Sequence, residues 1–325
     1  MVPFQYQRAI DESAAISAAA GGARFLAGGT TLVDLMREHV ERPAALVDIN
    51  GLACHEISVT DRQIEIGALA RMSDVAGHAA VAQACPAIVE ALLASASAQL
   101  RNMASIGGNL LQRTRCTYFR DPGVPCNKRE PGTGCPARTG LHRTHAIFGA
   151  SDHCIATHAS DLAVALAAFD AVVHVRGRRG RRTLLLSDLY RLPGLTPHVE
   201  HALAPDELIT RITVPIARHT RRSHYLKVRD RVSYEFALVS AAVGLDVEGG
   251  VIRSARVAAG GVGTVPWRLR LVEQALVGRP EGPDAWRAAA ARAVEGARPL
   301  TGNAFKTTLL PRTIVRAIEE LGGRA

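Results

Sequence analysis

Four of the six cysteines, Cys116, Cys126, Cys135 and Cys154, fall within 39 residues. Thiolates gathered at that density are the soft ligands that zinc and iron–sulfur clusters take. The intervals of nine, eight and eighteen residues match neither the paired C-x2-C of zinc fingers nor the tight runs of small ferredoxins, so a long folded loop has to gather them. Pro122, Gly123, Pro125, Pro131, Gly132, Gly134 and Pro136 forbid continuous helix or strand in that loop, and a segment of this kind needs a staple. Two disulfides would serve. A chain that opens without a basic stretch and an apolar one is, however, expected in a reducing compartment, where metal is the more natural staple. Ligand type leaves zinc and an iron–sulfur cluster both open. Between Arg113 and His145, seven basic residues (Arg113, Arg115, Arg120, Lys128, Arg129, Arg138, Arg143) face only Asp121 and Glu130. That surplus of +5 would offset an anionic thiolate cluster and would equally suit nucleic acid. Cys54 and Cys85 stand alone and read as buried thiols without a redox role. The nearby His142, His145, His153 and His158 read as structural, because four cysteines already complete a ligand set.

Glycine supplies a second signal. Random placement of the 29 glycines would give about 2.6 Gly-Gly pairs, and six occur. Gly21-Gly22 and Gly322-Gly323 read as helix stops and Gly249-Gly250 as a turn between strands. The pairs Gly28-Gly29, Gly107-Gly108 and Gly260-Gly261 each follow an apolar, strand-like run and look like backbone cradles. At the first, amides without a nearby Cβ can approach a phosphate, and Thr30 or Thr31 can cap the helix that opens with Leu32, Val33 and Leu35. At the second, Ser105 and Asn109 add the side-chain hydrogen bonds that a second phosphate or a ribityl chain would use. Two cradles suggest a diphosphate. Neither G-x-G-x-x-G after a strand nor G-x-x-x-x-G-K-[ST] occurs, so a Rossmann or P-loop site is not supported.

Such sites need a folded frame, and 47% hydrophobic residues with 21% charged supply one. Gln83, Pro86 and Glu90 interrupt one long apolar stretch and Asp170 another, so none reaches the roughly 20 residues of a membrane helix. The net charge of +9 invites a nucleic-acid reading, but 7 Phe, 5 Tyr and 2 Trp never interleave with Lys or Arg as a base-stacking platform requires. The densest basic run, Arg176, Arg178, Arg179, Arg181 and Arg182, reads as a hairpin tip between two strand-like segments.

Periodicity divides the chain into three stretches. Residues 1–55 read as a β-α-β unit with a helix from an Asp11 or Ser13 cap to Gly21, a helix over 31–40 and a strand over 45–49. Residues 56–218 alternate strands with helices at 73–82, 86–95 and 160–169 around the cysteine loop. After Pro215 and a basic linker come strands at 224–229 and 251–260, a helix at 233–242, and helices at 265–277, 283–296 and 311–321.

Eight blocks in order carry a resemblance: FLAGGTTLVDLM (25–36), ALVDIN (45–50), IGALARMSDV (66–75), QLRNMASIGGNLL (99–111), SDLAVALAAFDA (160–171), ELITRITVP (207–215), YLKVRDRVSYEFALVSAA (225–242) and RVAAGGVGTVPWRL (256–269). With them the chain resembles the FAD-binding subunits of the xanthine dehydrogenase and molybdenum hydroxylase family, nearly end to end. The inserted loop, RCTYFRDPGVPCNKREPGTGC with Cys154, is similar to that of the flavin subunit of bacterial periplasmic aldehyde oxidoreductase, where it holds a 4Fe-4S cluster. A different cluster loop in 4-hydroxybenzoyl-CoA reductase keeps a reductive enzyme as the alternative, and a zinc-stapled nucleic-acid binder is a more remote one.

The resemblance implies an α+β fold. Residues 1–218 would form a two-subdomain FAD-binding domain of the vanillyl-alcohol-oxidase (PCMH) type, split into 1–55 and 56–218, with the iron–sulfur loop at 113–156. Residues 219–325 would form a C-terminal α+β domain of the CO dehydrogenase flavoprotein type. It also implies that Leu26, Ala27, Gly28, Gly29, Thr30, Thr31 and Leu32 wrap the FAD diphosphate, and that Ser105, Gly108 and Asn109 hold its ribityl and phosphate side. Ala68, Ile209, Asp161 and Lys227 complete the implied FAD contacts. Asp161 is as well explained as a helix cap, and Lys227 as an exposed strand lysine. Glu235 stands where many relatives carry Asp, with no change of charge. Cys116, Cys126, Cys135 and Cys154 would ligate the cluster. The family pattern further implies a heterotrimer. A molybdopterin-binding large subunit would oxidise an aldehyde to a carboxylic acid, and a 2Fe-2S small subunit would pass electrons to this chain for an external acceptor. This chain carries no substrate-hydroxylating residue of its own. Co-export to the periplasm with a signal-bearing partner is the expected localisation, with the cytoplasm as the alternative.

Overall fold

Residues 1–322 of the chain are described by the computed structural model, and three sheets organise them. The first is parallel, with Ala45–Asp48 between Gln5–Arg8 and Arg24–Leu26. Helix Glu12–Ala20 crosses over between its strands, and Asp11 caps that helix by accepting from Ala14 N at 2.7 Å. A small core of Ala15, Ile16, Val47, Ile49 and Leu52 lies beneath.

The second sheet is antiparallel, in the order Ile57–Val59, Gln63–Gly67, Leu208–Pro215, Val172–Gly177, Gly180–Leu185. Its last two strands form the hairpin expected from the arginine run, with Gly177 paired to Gly180 at the tip. Arg176 and Arg182 are engaged by Glu12 and Glu207. Against one face pack helices Pro86–Ala94 and Asp161–Ala168, which bury Ile88, Leu92, Leu162 and Leu166 over Ile64, Ile66 and Ile212. The helix expected at 73–82 breaks into Met72–Ala76 and Ala79–Ala84, because His78 turns to extended backbone and caps the second piece.

The third sheet, in the order Trp267–Arg268, Val251–Gly260, Val239–Glu248, Ser223–Val228, departs from the expected helix at 233–242. Residues 239–245 are all buried because the strand is covered on both faces. Val239, Ala241, Val243 and Leu245 enter a core with Ile314, Ala317 and Ile318 of helix Lys306–Gly322, while Ala242 faces the core of the second sheet. A strand covered twice shows no polar alternation, and its alanines mimic a helix. The stretch expected as helix 265–277 spends Trp267–Arg268 on the sheet edge before helix Arg270–Leu276 begins. The last helix starts five residues before Pro311, which lies inside it, and Gly322 is its final described residue; Gly323 of the expected helix stop lies outside the described residues. No helix among the described residues is long and apolar enough to cross a membrane.

Candidate functional site

The first two glycine cradles meet on a seam between the parallel sheet and the second sheet. Gly28 lies against the backbone of residues 103–104: a Cβ there would sit 1.9 Å from Met103 O. Gly29 has a φ of +73°, so the chain turns where a side chain would be strained. A polar frame holds this approach. Asn50 Nδ2 donates to Ala27 O (2.9 Å), Arg71 Nη2 donates to Asn50 Oδ1 (2.9 Å), and Arg71 Nη1 donates to Met103 O (2.6 Å). Asp48 anchors Asn50 through its amides at 2.8 and 2.7 Å and accepts from the Tyr6 hydroxyl at 2.6 Å. Burial pushes the Asp48 carboxyl up, yet the Tyr6 and Asn50 hydrogen bonds outweigh it and hold the group below the ordinary carboxylate value. Asp48, Asn50 and Arg71 sit in quoted blocks but carried no assigned role; only their meeting across the seam reveals one.

Residues 25–34, including Leu26, Ala27, Thr30, Thr31 and Leu32, are half-buried along this seam. Thr31 occupies the N-cap of helix Leu32–Arg37 but makes no side-chain cap bond, contrary to expectation. The first turn closes instead through Val33 N to Gly29 O (2.9 Å) and Leu35 N to Thr31 O (3.0 Å).

At the second cradle, Ser105 caps helix Ile106–Leu110 by accepting from Gly108 N at 3.2 Å. Asn109 Oδ1 accepts from Ser160 Oγ at 2.5 Å. Both side chains are buried and engaged with protein, so the loop presents Gly108 outward. Gly107 donates to Ala68 O at 2.7 Å, and Ala68 donates to Thr210 O at 3.0 Å, which brings Ala68 and the neighbouring Ile209 to the same seam.

Ser160, and not Asp161, caps helix Asp161–Ala168 by accepting from Ala163 N at 2.9 Å. Asp161 is freed for a buried network. Its Oδ1 accepts from the Tyr225 hydroxyl (2.6 Å), and its Oδ2 from Lys227 Nζ (2.8 Å) and Ser95 Oγ (3.0 Å). The Lys227 side chain is 3% exposed, which removes the exposed-strand explanation; its ammonium also donates to Ala94 O (3.1 Å). Burial first, and then Asp161, push the Tyr225 phenol well above its ordinary value. Tyr225 and Ser95 were not anticipated, being 64 and 66 residues from Asp161 in sequence. Asp161 and the third glycine pair, Gly260-Gly261, line a cleft of about 190 Å³ between the two larger cores, with Phe236, Arg115 and Cys116 at its rim.

Cys116, Cys126, Cys135 and Cys154 all line one small cavity of about 10 Å³, and Cys116 borders the cleft as well. None of the six cysteines forms a disulfide. Among the described residues no three His, Cys, Asp or Glu side chains stand as a group that could hold a metal ion. Side chains brace the loop. Asn127 accepts from Gly132 N (3.1 Å) and Gly134 N (2.8 Å), and Arg129 donates to Tyr118 O (3.0 Å), Phe119 O (2.6 Å) and Val124 O. Burial pushes the Cys116 thiol up to about 12 and raises Cys135 and Cys154. His145 Nε2 lies 3.2 Å from Cys116 Sγ; His142 accepts from Gly302 N (2.9 Å) and His158 from Ser160 N (3.3 Å). Cys54 and Cys85 are buried, their thiols pushed up by burial to about 11 and about 12.

The expected positive surplus of the loop is not an open patch. Carboxylates from elsewhere engage Arg113 (Glu41, Glu200), Arg115 (Asp34), Arg120 (Asp34, Glu38), Lys128 (Glu200), Arg138 (Asp152) and Arg143 (Asp230). Sequence distance hid those partners.

Residues 2–217 match the family described as FAD binding domain in molybdopterin dehydrogenase, and residues 224–321 the CO dehydrogenase flavoprotein C-terminal domain. The chain is 46% identical, over 100% of both sequences, to the aldehyde oxidoreductase FAD-binding subunit PaoB of Escherichia coli (strain K12). It is 28% identical, over 91% of this chain and 87% of the relative, to the 6-hydroxypseudooxynicotine dehydrogenase complex subunit alpha of Paenarthrobacter nicotinovorans. A crystal structure of a Cu,Mo-CO dehydrogenase superposes with a TM-score of 0.77 at 24% identity, covering 100% of each chain, and speaks for the α+β fold. The cradled seam, the matched blocks and these relatives agree: the chain belongs to the FAD-binding subunits of the molybdenum hydroxylase family of oxidoreductases.

Proposed function

We propose that this chain is the FAD- and 4Fe-4S-carrying electron-transfer subunit of a molybdenum-dependent aldehyde oxidoreductase. One observation supports it above the others: the four cysteines of the inserted loop, far apart in sequence, line one cavity, and one of them, Cys116, also borders the Asp161 cleft. Four thiolates are a full ligand set for a 4Fe-4S cluster. The full-length likeness to an aldehyde oxidoreductase FAD-binding subunit supports the substrate class.

The residues fit FAD. The Gly28-Gly29 approach, which a Cβ would fill, leaves main-chain amides and the Thr30 and Thr31 hydroxyls for a diphosphate, and Gly108 faces the same seam. Asp161, fixed by Tyr225, Lys227 and Ser95, offers a rigid acceptor at the cleft wall. Lys227 supplies the neighbouring positive charge from behind that carboxylate. When bound, FAD supplies the exchange between one-electron and two-electron carriers. A molybdopterin-binding large subunit and a 2Fe-2S small subunit would complete a heterotrimer that delivers electrons to this chain and on to an external acceptor. Such an assembly would reach the periplasm with a signal-bearing partner, which fractionation with and without that partner tests.

Anaerobic purification followed by a visible spectrum, acid release of flavin, and iron and sulfide assays tests the cofactors. A flavin band on a brown background, both bleaching on reduction, with four irons per FAD is expected. A colourless protein containing zinc overturns the reading. In the Cys126→Ser variant, loss of the cluster is expected; retention of full iron removes Cys126 from the ligand set.

A further inference from the structure

Of the Lys and Arg residues among the described residues, Lys128 alone lines the thiol cavity, whose exposed surface is wholly apolar. It also borders an adjoining polar cavity together with Cys154 and Glu200. Its side chain is 12% exposed, with Nζ 2.7 Å from Glu200 Oε1 and 3.0 Å from Pro197 O. The other Glu200 oxygen accepts from Arg113 Nε at 2.9 Å, and Arg113 in turn holds Glu41 at 2.6 Å. One positive charge is therefore held on the side of Cys154, where it acts to lower that thiol against the larger upward push of burial, with the Glu200 carboxylate paired to it. The remaining basic groups of the loop point elsewhere: Arg115 and Arg120 to Asp34, Arg138 to Asp152, Arg143 to Asp230, and Arg129 to main-chain carbonyls.

Reduction of a 4Fe-4S cluster adds one electron and one negative charge to its surroundings, and its potential follows local charge, hydrogen bonds to sulfur and solvent exposure. In a poorly solvated cavity a fixed cation stabilises the reduced form more than the oxidised one. Resting on the reading that the four cysteines hold such a cluster, we infer that Lys128 raises its reduction potential and that Glu200 sets how far. Lys128 is a tuning residue, acting through the field at the cluster, and Arg113 positions Glu200.

The test is a redox titration, followed by electron paramagnetic resonance, of the anaerobically purified full chain with iron and sulfide counted first. Lys128→Met is expected to lower the midpoint, shifting the reduced-to-oxidised ratio at fixed potential by about tenfold, or about 59 mV for one electron. Lys128→Arg keeps the charge and is expected to stay near wild type, whereas Glu200→Gln is expected to move the midpoint upward. Loosened structure would shift both variants in the same direction; a field effect shifts them oppositely. An intact cluster with an unchanged or raised midpoint in Lys128→Met overturns the inference. If that variant cannot hold a cluster, Glu200→Gln decides alone, and an unchanged or lowered midpoint there overturns it. A wild-type chain without iron and sulfide overturns the cluster reading itself, before any midpoint is measured.

Discussion

At Gly28 there is space for a hydrogen and nothing larger, since a Cβ would meet Met103 O at 1.9 Å. Gly28→Ala must push the two loops apart, so the purified protein is expected to lose most of its FAD and about 1–3 kcal/mol of stability. Gly51→Ala, where a Cβ meets nothing within 4 Å, is expected to keep both. Flavin released per chain and thermal unfolding measure the pair; equal FAD in the two variants would remove the cradle from the binding site. Lys227 invites a second substitution. Lys227→Met leaves the Asp161 carboxylate buried without its cation, and an uncompensated buried charge costs about 3–5 kcal/mol. Denaturant unfolding of wild type, Lys227→Met, Asp161→Asn and the double variant measures the coupling, and the double variant is expected to recover part of the Lys227→Met loss. The sequence makes Asp161 and Lys227 visible as block members. It is silent on Tyr225 and Ser95 as their partners, because hydrogen bonds across 64 and 66 residues leave no local pattern.

The cysteine loop is an element without regular hydrogen bonding over most of its length, so its shape rests on a few buried side chains. Phe119 is fully buried between Leu35 and Cys126, with the Arg113 guanidinium 4.4 Å from its ring centre. Phe119→Ala is expected to cost about 3–5 kcal/mol and to expose the loop to proteolysis before the rest of the chain, as limited digestion followed by mass spectrometry would reveal. An unchanged digestion pattern would mean that the cysteines' surroundings do not depend on this ring. Strand Val239–Glu248 makes a different point about elements. Gly244 sits where a Cβ would approach His219 O at 2.3 Å and Phe169 Cε1 at 2.7 Å, so a side chain there would collide with helix Arg218–Arg221 and with the core around Phe169. In sequence the small residues of this strand read as helix, because alanine's preference is weak and burial on both faces overrides it.

Across the whole molecule, polar clamps join the parts that hydrophobic cores leave separate. His224 sits between Glu90 Oε2 (2.7 Å) and Glu320 Oε2 (3.0 Å), joining helix Pro86–Ala94 to the last helix. Lys306, fully buried, donates to His145 O (2.9 Å) and Gly261 O (2.5 Å), and so ties the end of the cysteine loop to the third glycine turn. Burial holds His158 and His219 down to about 4, from an ordinary value of 6.5. Between those values the unfolded chain binds protons that the folded chain refuses, so stability is full above 6.5 and is lost as pH falls towards about 4. Thermal unfolding between pH about 7.5 and about 5 is expected to show this fall, and His219→Gln is expected to flatten it. A slope unaltered by that substitution would assign the loss to other groups.

Residue order alone determined the family, the glycine turns, the hairpin at the arginine run and the four cysteines, since each is a matter of residue type at short spacing. Tertiary structure decided the rest. Only the folded chain turns the loop's +5 into paired charge, because the carboxylates that neutralise it come from positions as distant as Asp34, Glu200 and Asp230. Only the folded chain makes residues 239–248 a strand, because coverage on both faces comes from segments far away in sequence. Short-range order records what a residue can do; charge balance, double-sided burial and the meeting of Gly28 with Met103 depend on long-range neighbours that folding alone supplies.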